Sequence, residues 1–401
     1  MHDLNVTPTG LDFSGVRAAM QSYVDRDLIP GASWALLRGT ELIDVQCVGW
    51  ADREQRIPLR TDHIFRAYSN SKLATSCAIL LLMEQGALGL DDPVEKYLPQ
   101  LANRQVLRAG ATTLADTEPA RQSITLRQLL THSSGLGYGL LDAGTPLYKA
   151  YVEQGVRDHT TTLAHMIDVL AGLPLSYQPG TRWEYSIATD VLGRVVEVVS
   201  GLRFDAYLQT RIFDPLGLND TGFVVPAKDA SRLVAHYMGA SLADKMQPGL
   251  RRIDELPYPG AYLQAVPRLS GGGGLVTTLP DALTLVASLL TGSPKLLRDD
   301  TRALMMRNHL LPGVQIGFPA QGTLTGRGFG LGGAVTFAAP ASDTAADVEG
   351  EFWWGGAAGT QWWVLPAQNL AGVFMTQRHM AFWHPVFPAF RHALGRAMAA
   401  A

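Results

Sequence analysis

Residues 66–86, RAYSNSKLATSCAILLLMEQG, bring a serine and a lysine to the mouth of an apolar segment. Three apart on a helix, Ser69 and Lys72 share a face, so the hydroxyl oxygen and the amine nitrogen can approach each other. A cation in that first turn meets the positive end of the helix dipole, at a cost of about 0.3–1 kcal/mol. Burial against Leu73, Ala74 and Cys77 would disfavour its charge further. Structure alone gives no reason to keep a lysine there. Chemistry does, because both effects lower the amine pKa and suit it to proton transfer beside a nucleophile. The same dipole and the backbone N–H of Ser69 favour an oxyanion forming next to that serine. Lysine is scarce in the chain, occurring only as Lys72, Lys96, Lys149, Lys228, Lys245 and Lys295, so its use here is pointed. The spacing S-x-x-K by itself is a weak signal, with on the order of one chance match in a chain this long.

Other catalytic signatures are missing or point elsewhere. There is no G-x-S-x-G, the nearest miss being Gly31-Ala-Ser33-Trp-Ala35, and no H-E-x-x-H, paired C-x-x-C or phosphate-binding G-x-x-x-x-G-K-[ST]. A G-x-G-x-x-G at Gly328, Gly330 and Gly333 lies in a strand-like run with no helix opening behind it, and reads as close strand packing. His132, in LLTHSSGL, could be a base beside Ser133 or Ser134; between a helix end and a glycine turn, a structural role is the preferred reading. Cys47 and Cys77 sit in apolar contexts and read as free thiols.

The segment Phe65-Arg66-Ala67-Tyr68-Ser69-Asn70-Ser71-Lys72 resembles the nucleophile segment of the serine β-lactamase and penicillin-binding-protein superfamily, in its class C-like branch. LRQLLTHSSGL, QPGTRWEYS, LGRVVEVVSG, IFDPLGLNDTGF, SGGGGLVTT and WGGAAGTQWWV follow in that branch's order, so the resemblance covers roughly residues 11–380. Within the branch the chain is most similar to a family VIII carboxylesterase. Where β-lactamases carry Tyr-x-Asn it reads Tyr185-Ser186-Ile187, and where they carry Lys-Thr-Gly it reads Trp354-Gly355-Gly356. An ammonium and a hydroxyl suited to a substrate carboxylate are thus replaced by an indole and a hydrogen, an apolar wall in place of a charge-reading one. The resemblance implies Ser69 as nucleophile, Lys72 as its proton partner and Tyr185 as the phenolic base relaying the proton to the leaving alkoxide. It places the oxyanion hole at the backbone N–H groups of Ser69 and Ala357, and substrate contacts at Trp354, Gly355, Gly356 and Ile187. Tyr185 could equally be a core tyrosine; its place after the Pro179-Gly180 turn and before a helix capped by Ser186 favours function.

The expected activity is hydrolysis of neutral, short-chain carboxylic esters through an acyl-serine, with no metal or organic cofactor. Three alternatives stay open: acyl transfer from the same intermediate to an alcohol or amine, β-lactamase or D-amino-acid peptidase activity with weak β-lactam turnover, and a non-catalytic binding protein.

The elements that must hold these residues follow from periodicity. A helix is expected over 11–27, then two strands, ASWALLR and ELIDVQCVGWA, then the helix of Lys72. Between 90 and 269 the pattern is helical, broken by Pro and Gly; strand-like runs return in GFGLGGAVTF, EFWWGG, TQWWVLP and LAGVFMTQ. The expected fold is α/β (α+β), β-lactamase-like: a mostly antiparallel mixed sheet flanked by helices and built from 1–89 and 270–401, with a helical domain, 90–269, inserted and the site between them. At 401 residues with 47% hydrophobic and 17% charged content, the chain has ample material for two buried lobes. A net charge of -3 offers no basic surface for nucleic acid or anionic membrane. No basic, apolar leader pattern opens the sequence and no apolar run approaches the ~20 residues of a bilayer span, so a cytoplasmic enzyme acting on a small-molecule ester is expected.

Overall fold

The computed structural model describes residues 6–139, 144–241, 243–292, 294–319, 322–338 and 348–399. Its frame is an eight-stranded sheet in which the two ends of the chain meet. From one edge the order is Arg327–Phe329, Ala334–Thr336, Phe352–Gly355, Gln361–Leu365, Leu370–Met375, Gly31–Arg38, Glu41–Asp52 and Ile57–Pro58. Each neighbouring pair is antiparallel. The closing register sets Trp34 opposite Phe374 and Ser33 opposite Met375. Gly31–Arg38 is buried over its first six residues because helices cover both faces of the sheet, which explains an almost unbroken apolar run where a one-sided strand would alternate.

On one face the first helix, Ser14–Asp25, packs beside the last, Val386–Ala399. Met20, Trp34, Trp363, Phe374 and Phe390 join them in one apolar cluster. On the other face Leu279–Ala287 lies across Gly31–Arg38 and Leu370–Met375. Beyond it the helix Ser71–Glu84 packs on Ala188–Ser200, inside the larger core. Every residue from Ser71 to Leu80 is buried, so this helix is apolar nearly all round, as a central helix must be.

Residues 90–216 hold short helices, among them Leu126–Leu130, Pro146–Glu153, Leu163–Ala171, Ala188–Ser200 and Phe204–Leu208. LRQLLTHSSGL yields less helix than its pattern suggests. Thr125 caps it with a capping box, and at His132 the backbone turns left-handed (φ 54°) and ends it. After Leu216 the chain departs from the helical expectation. It runs through a 3-10 segment, Ala227–Arg232, and a hairpin of Tyr237–Gly239 with Leu250–Arg252.

The glycines of G-x-G-x-x-G are packing residues. A Cβ would lie 2.3 Å from Asn308 at Gly328, 2.4 Å from the Met305 carbonyl at Gly330 and 2.7 Å from the Phe352 ring at Gly333. Both cysteines are free, Cys77 buried and Cys47 half-buried. Among the described residues no helix is long and apolar enough to cross a membrane.

Candidate active site

Ser69 lies on a 3-10 turn, Tyr68–Asn70, that runs into the helix Ser71–Glu84. The turn is pinned from both sides: Ala67 N–H donates to the Leu275 carbonyl (2.9 Å), and Leu275 N–H donates to Ser71 Oγ (3.0 Å). Tyr68, just before the serine, has φ 46°, which for an aromatic residue is strained by about 1–3 kcal/mol and persists only when the surroundings enforce it. Here Tyr262 and His236 do so, with ring centroids 6.3 and 5.7 Å from that of Tyr68.

Lys72 is 1% exposed. Its Nζ donates to the Gly272 carbonyl at 2.7 Å and stands 3.5 Å from Ser69 Oγ. Burial drives its pKa down, against smaller upward pulls from Tyr138 and Asp190. The glycine run beside it is tightly packed. A Cβ at Gly271 would come within 2.8 Å of the Thr189 carbonyl, and one at Gly272 within 2.5 Å of Asp190 Oδ2 and 3.3 Å of Lys72 Nζ. Only glycine allows that turn to put its carbonyl on the lysine.

The Tyr185 hydroxyl donates to Ser69 Oγ at 2.5 Å. Lys72 Nζ lies 4.6 Å from the centre of the same ring. The rings of His132, Tyr138 and Trp354 crowd it at 4.9, 5.6 and 5.5 Å. That desolvation raises the phenol pKa well above its ordinary value, while Ser69 and the Trp354 indole pull it partly back. The Trp354 N–H nevertheless makes no hydrogen bond of acceptable geometry among the described residues. We read it as a dipole facing the phenol oxygen, not as a bond. At rest Tyr185 is therefore a protonated donor, and the desolvated amine is the group readier to accept a proton.

Trp354 and Gly355 close the strand Phe352–Gly355, and Gly356 and Ala357 follow in the turn. This turn is fastened to the nucleophile segment: Thr360 Oγ1 donates to the Ala67 carbonyl at 3.0 Å, and a Cβ at Gly356 would meet the same oxygen at 2.4 Å. Gly355 is equally constrained, since a Cβ there would lie 2.2 Å from Gln361 Oε1. The turn that holds Ala357 is thereby tied to Ala67, two residues before Ser69.

Ile187 is 3% exposed and packs in the main core, just ahead of the helix Ala188–Ser200 whose apolar side is turned inward. Ser186, one residue before the N-cap Ile187, accepts the first helical N–H, that of Ala188, on its Oγ at 3.4 Å. The same Oγ also pairs with His132, at 2.9 Å from Nδ1. Sequence reasoning missed the Gly272 carbonyl and Tyr138. The run of four glycines at 271–274 was the available sign of the first, and Tyr138 had none.

An open groove of about 920 Å³ leads to the site, with Tyr138, Trp183, Tyr185 and Phe318 among its walls. Ser69 lies one hydrogen bond beyond Tyr185. A hydroxyl flanked by a desolvated amine and a phenol, near a groove with aromatic residues in its wall, is equipped for acyl transfer.

Residues 16–382 match the family model described as Beta-lactamase. Esterase EstB of Burkholderia gladioli is 32% identical over 390 residues, covering 93% of this chain and 93% of its own length. The Lovastatin esterase of Penicillium rubens is 32% identical over 345 residues, 80% of each. Among solved structures, that of EstCE1, described as a hydrolase with promiscuous acyltransferase activity, superposes with a TM-score of 0.80 at 30% identity, covering 95% of this chain and 98% of its own.

Proposed function

The chain belongs to the Beta-lactamase family, and from that membership we propose that it is a serine carboxylesterase whose chemistry is carried by Ser69, Lys72 and Tyr185. The observation that carries this reading is the double contact on one hydroxyl: Tyr185 at 2.5 Å and a desolvated Lys72 at 3.5 Å. Ser69 Oγ attacks the ester carbonyl carbon as its proton passes to Lys72 Nζ. The N–H groups of Ser69 and Ala357 hold the oxyanion. When the tetrahedral intermediate collapses, the bond to the alkoxide breaks, and the alkoxide takes the proton through the Tyr185 hydroxyl. Water then attacks the acyl-serine by the same steps, releasing the acid and restoring the Ser69 proton.

The substrate is a neutral ester. Trp354, 2% exposed, stands where β-lactamases carry lysine, and the groove walls nearest Tyr185 are aromatic. Such walls favour apolar acyl and alcohol groups over carboxylates. In this reading Ser69 and Ala357 belong to the lobe formed by 1–89 and 270–401, Tyr185 belongs to the inserted lobe 90–269, and substrate binds between them.

Purified Ser69→Ala, shown to be folded by circular dichroism, is expected to lose hydrolysis of p-nitrophenyl butyrate and labelling by a fluorophosphonate. Near-native turnover by that variant refutes the reading. Transfer of the acyl group to an added alcohol is a second reading, supported by the openness of the groove and by the acyltransferase activity described for EstCE1. Chromatography of products with the alcohol present distinguishes a new ester from free acid.

A further inference from the structure

We propose that His132 positions Tyr185 over Ser69, acting as a neutral hydrogen-bond acceptor and not as a base. This rests on the role given above to Tyr185. Three contacts tie the histidine to the residues on either side of the tyrosine. The His132 carbonyl accepts Glu184 N–H at 2.9 Å, and His132 Nδ1 accepts Ser186 N–H at 3.2 Å and lies 2.9 Å from Ser186 Oγ. The imidazole ring also packs directly on Tyr185, 4.9 Å between centroids, with Trp183 and Phe329 edge-on to its other sides at 6.2 and 5.3 Å. The backbone carbonyl of His132 thus holds Glu184 and its imidazole holds Ser186, and Tyr185 between them has little freedom to move.

Because Nδ1 accepts the Ser186 N–H, it carries no proton; the proton of a neutral imidazole sits on Nε2. Burial and nearby Lys72 keep the ring neutral, its pKa far below the usual value. His132 occupies the left-handed backbone (φ 54°) that ends Leu126–Leu130. The two contacts to Ser186, 54 residues away in sequence, join the turn that ends Leu126–Leu130 to the segment that carries the phenol.

Four variants test this on p-nitrophenyl butyrate. His132→Gly suits the left-handed backbone but removes the acceptor and the ring. It is expected to lower kcat on the order of 10²-fold, the loss that misplacing a reacting group by about an ångström brings, with KM little changed. His132→Asn tolerates the same backbone and sets an amide oxygen near the Nδ1 position, so it is expected to recover kcat to within about tenfold of wild type. The acid limb of its kcat/KM profile should stay where wild type has it. In a Tyr185→Phe background, adding His132→Gly should cost no more than about threefold further, since a residue acting through another is silent once that other is gone. Should His132→Gly fail to fold, Ser186→Ala removes one of the three contacts and should lower kcat in the same sense by about tenfold.

Wild-type kcat in His132→Gly, a full multiplicative loss in the double variant, or disappearance of the acid limb in His132→Asn each overturns the proposal. The last of these would make His132 a base itself. Full activity of Tyr185→Phe alone would instead sink the functional reading of the site, so the two failures are separable.

Discussion

Lys72 Nζ is bonded to the Gly272 carbonyl at 2.7 Å, well inside the 3.5 Å that separates it from Ser69 Oγ. A backbone oxygen on a glycine turn thus fixes the amine, and the nucleophile receives what direction remains. The lysine cannot swing toward bulk water, and its lone pair, when the amine is neutral, is held near the serine.

Gly272→Ala tests that arrangement without removing a reactive atom. The added methyl would lie 2.5 Å from Asp190 Oδ2 and 3.3 Å from Lys72 Nζ, so one of them must shift. Overpacking of this kind costs about 1–3 kcal/mol, and a displaced amine should lower kcat at least about tenfold. A variant with unchanged kcat would show that the carbonyl of residue 272 does not aim the lysine.

Tyr185→Phe keeps the ring among its aromatic neighbours and removes only the hydroxyl that meets Ser69. Stability should change by less than about 1 kcal/mol, while kcat falls about 10²–10⁴-fold, the usual contribution of a positioned proton carrier. Steady-state kinetics together with urea unfolding separate the two quantities.

Burial lowers the Lys72 pKa below the ordinary 10.5. Between the folded value and 10.5 the unfolded chain holds more protons than the folded one, so this group makes stability rise with pH in that window. Lys72→Met lacks that term. The melting temperature of the variant minus that of wild type should therefore be most favourable to the variant near neutral pH and become less so toward about pH 10. Thermal scans across that range read the difference directly, and an opposite slope contradicts a depressed lysine. Kinetically, kcat/KM of the wild type should rise through the same pKa, giving an acid limb with its midpoint below 10.5.

Trp354 is 2% exposed and touches Tyr185, Phe318, Phe329 and Phe382. Trp354→Ala should destabilise by about 3–5 kcal/mol and loosen the phenol. Trp354→Phe retains most of the packing and loses the N–H dipole facing Tyr185, so it should cost less than about tenfold in kcat. Equal kinetic losses in a stable Trp354→Phe and in Trp354→Ala would assign the residue an electrostatic role in place of a packing one.

Much of the site was legible locally. Ser69 and Lys72 declare themselves by a three-residue spacing at the start of an apolar helix, and a helix turns that spacing into proximity whatever surrounds it. The strands were legible in the same way, ASWALLR and LAGVFMTQ by composition, because their residues are buried on both faces of the sheet. The segment after Leu216 was not, since loops, 3-10 turns and a hairpin of three-residue strands leave no period to read.

Sequence alone therefore determined which residue types could do acyl chemistry, the helix that bears two of them, and the strands at both ends of the chain. Only the tertiary structure decided that the Gly272 carbonyl takes the lysine, that His132 and Ser186 pair, and that Ile187 turns into the core. The first two are bonds over 200 and 54 residues. Spacing and periodicity report what neighbours along the chain can do; which distant groups meet is fixed by sheet register and by the packing of helices on it. A backbone carbonyl in particular leaves no mark in the sequence, because every residue carries one.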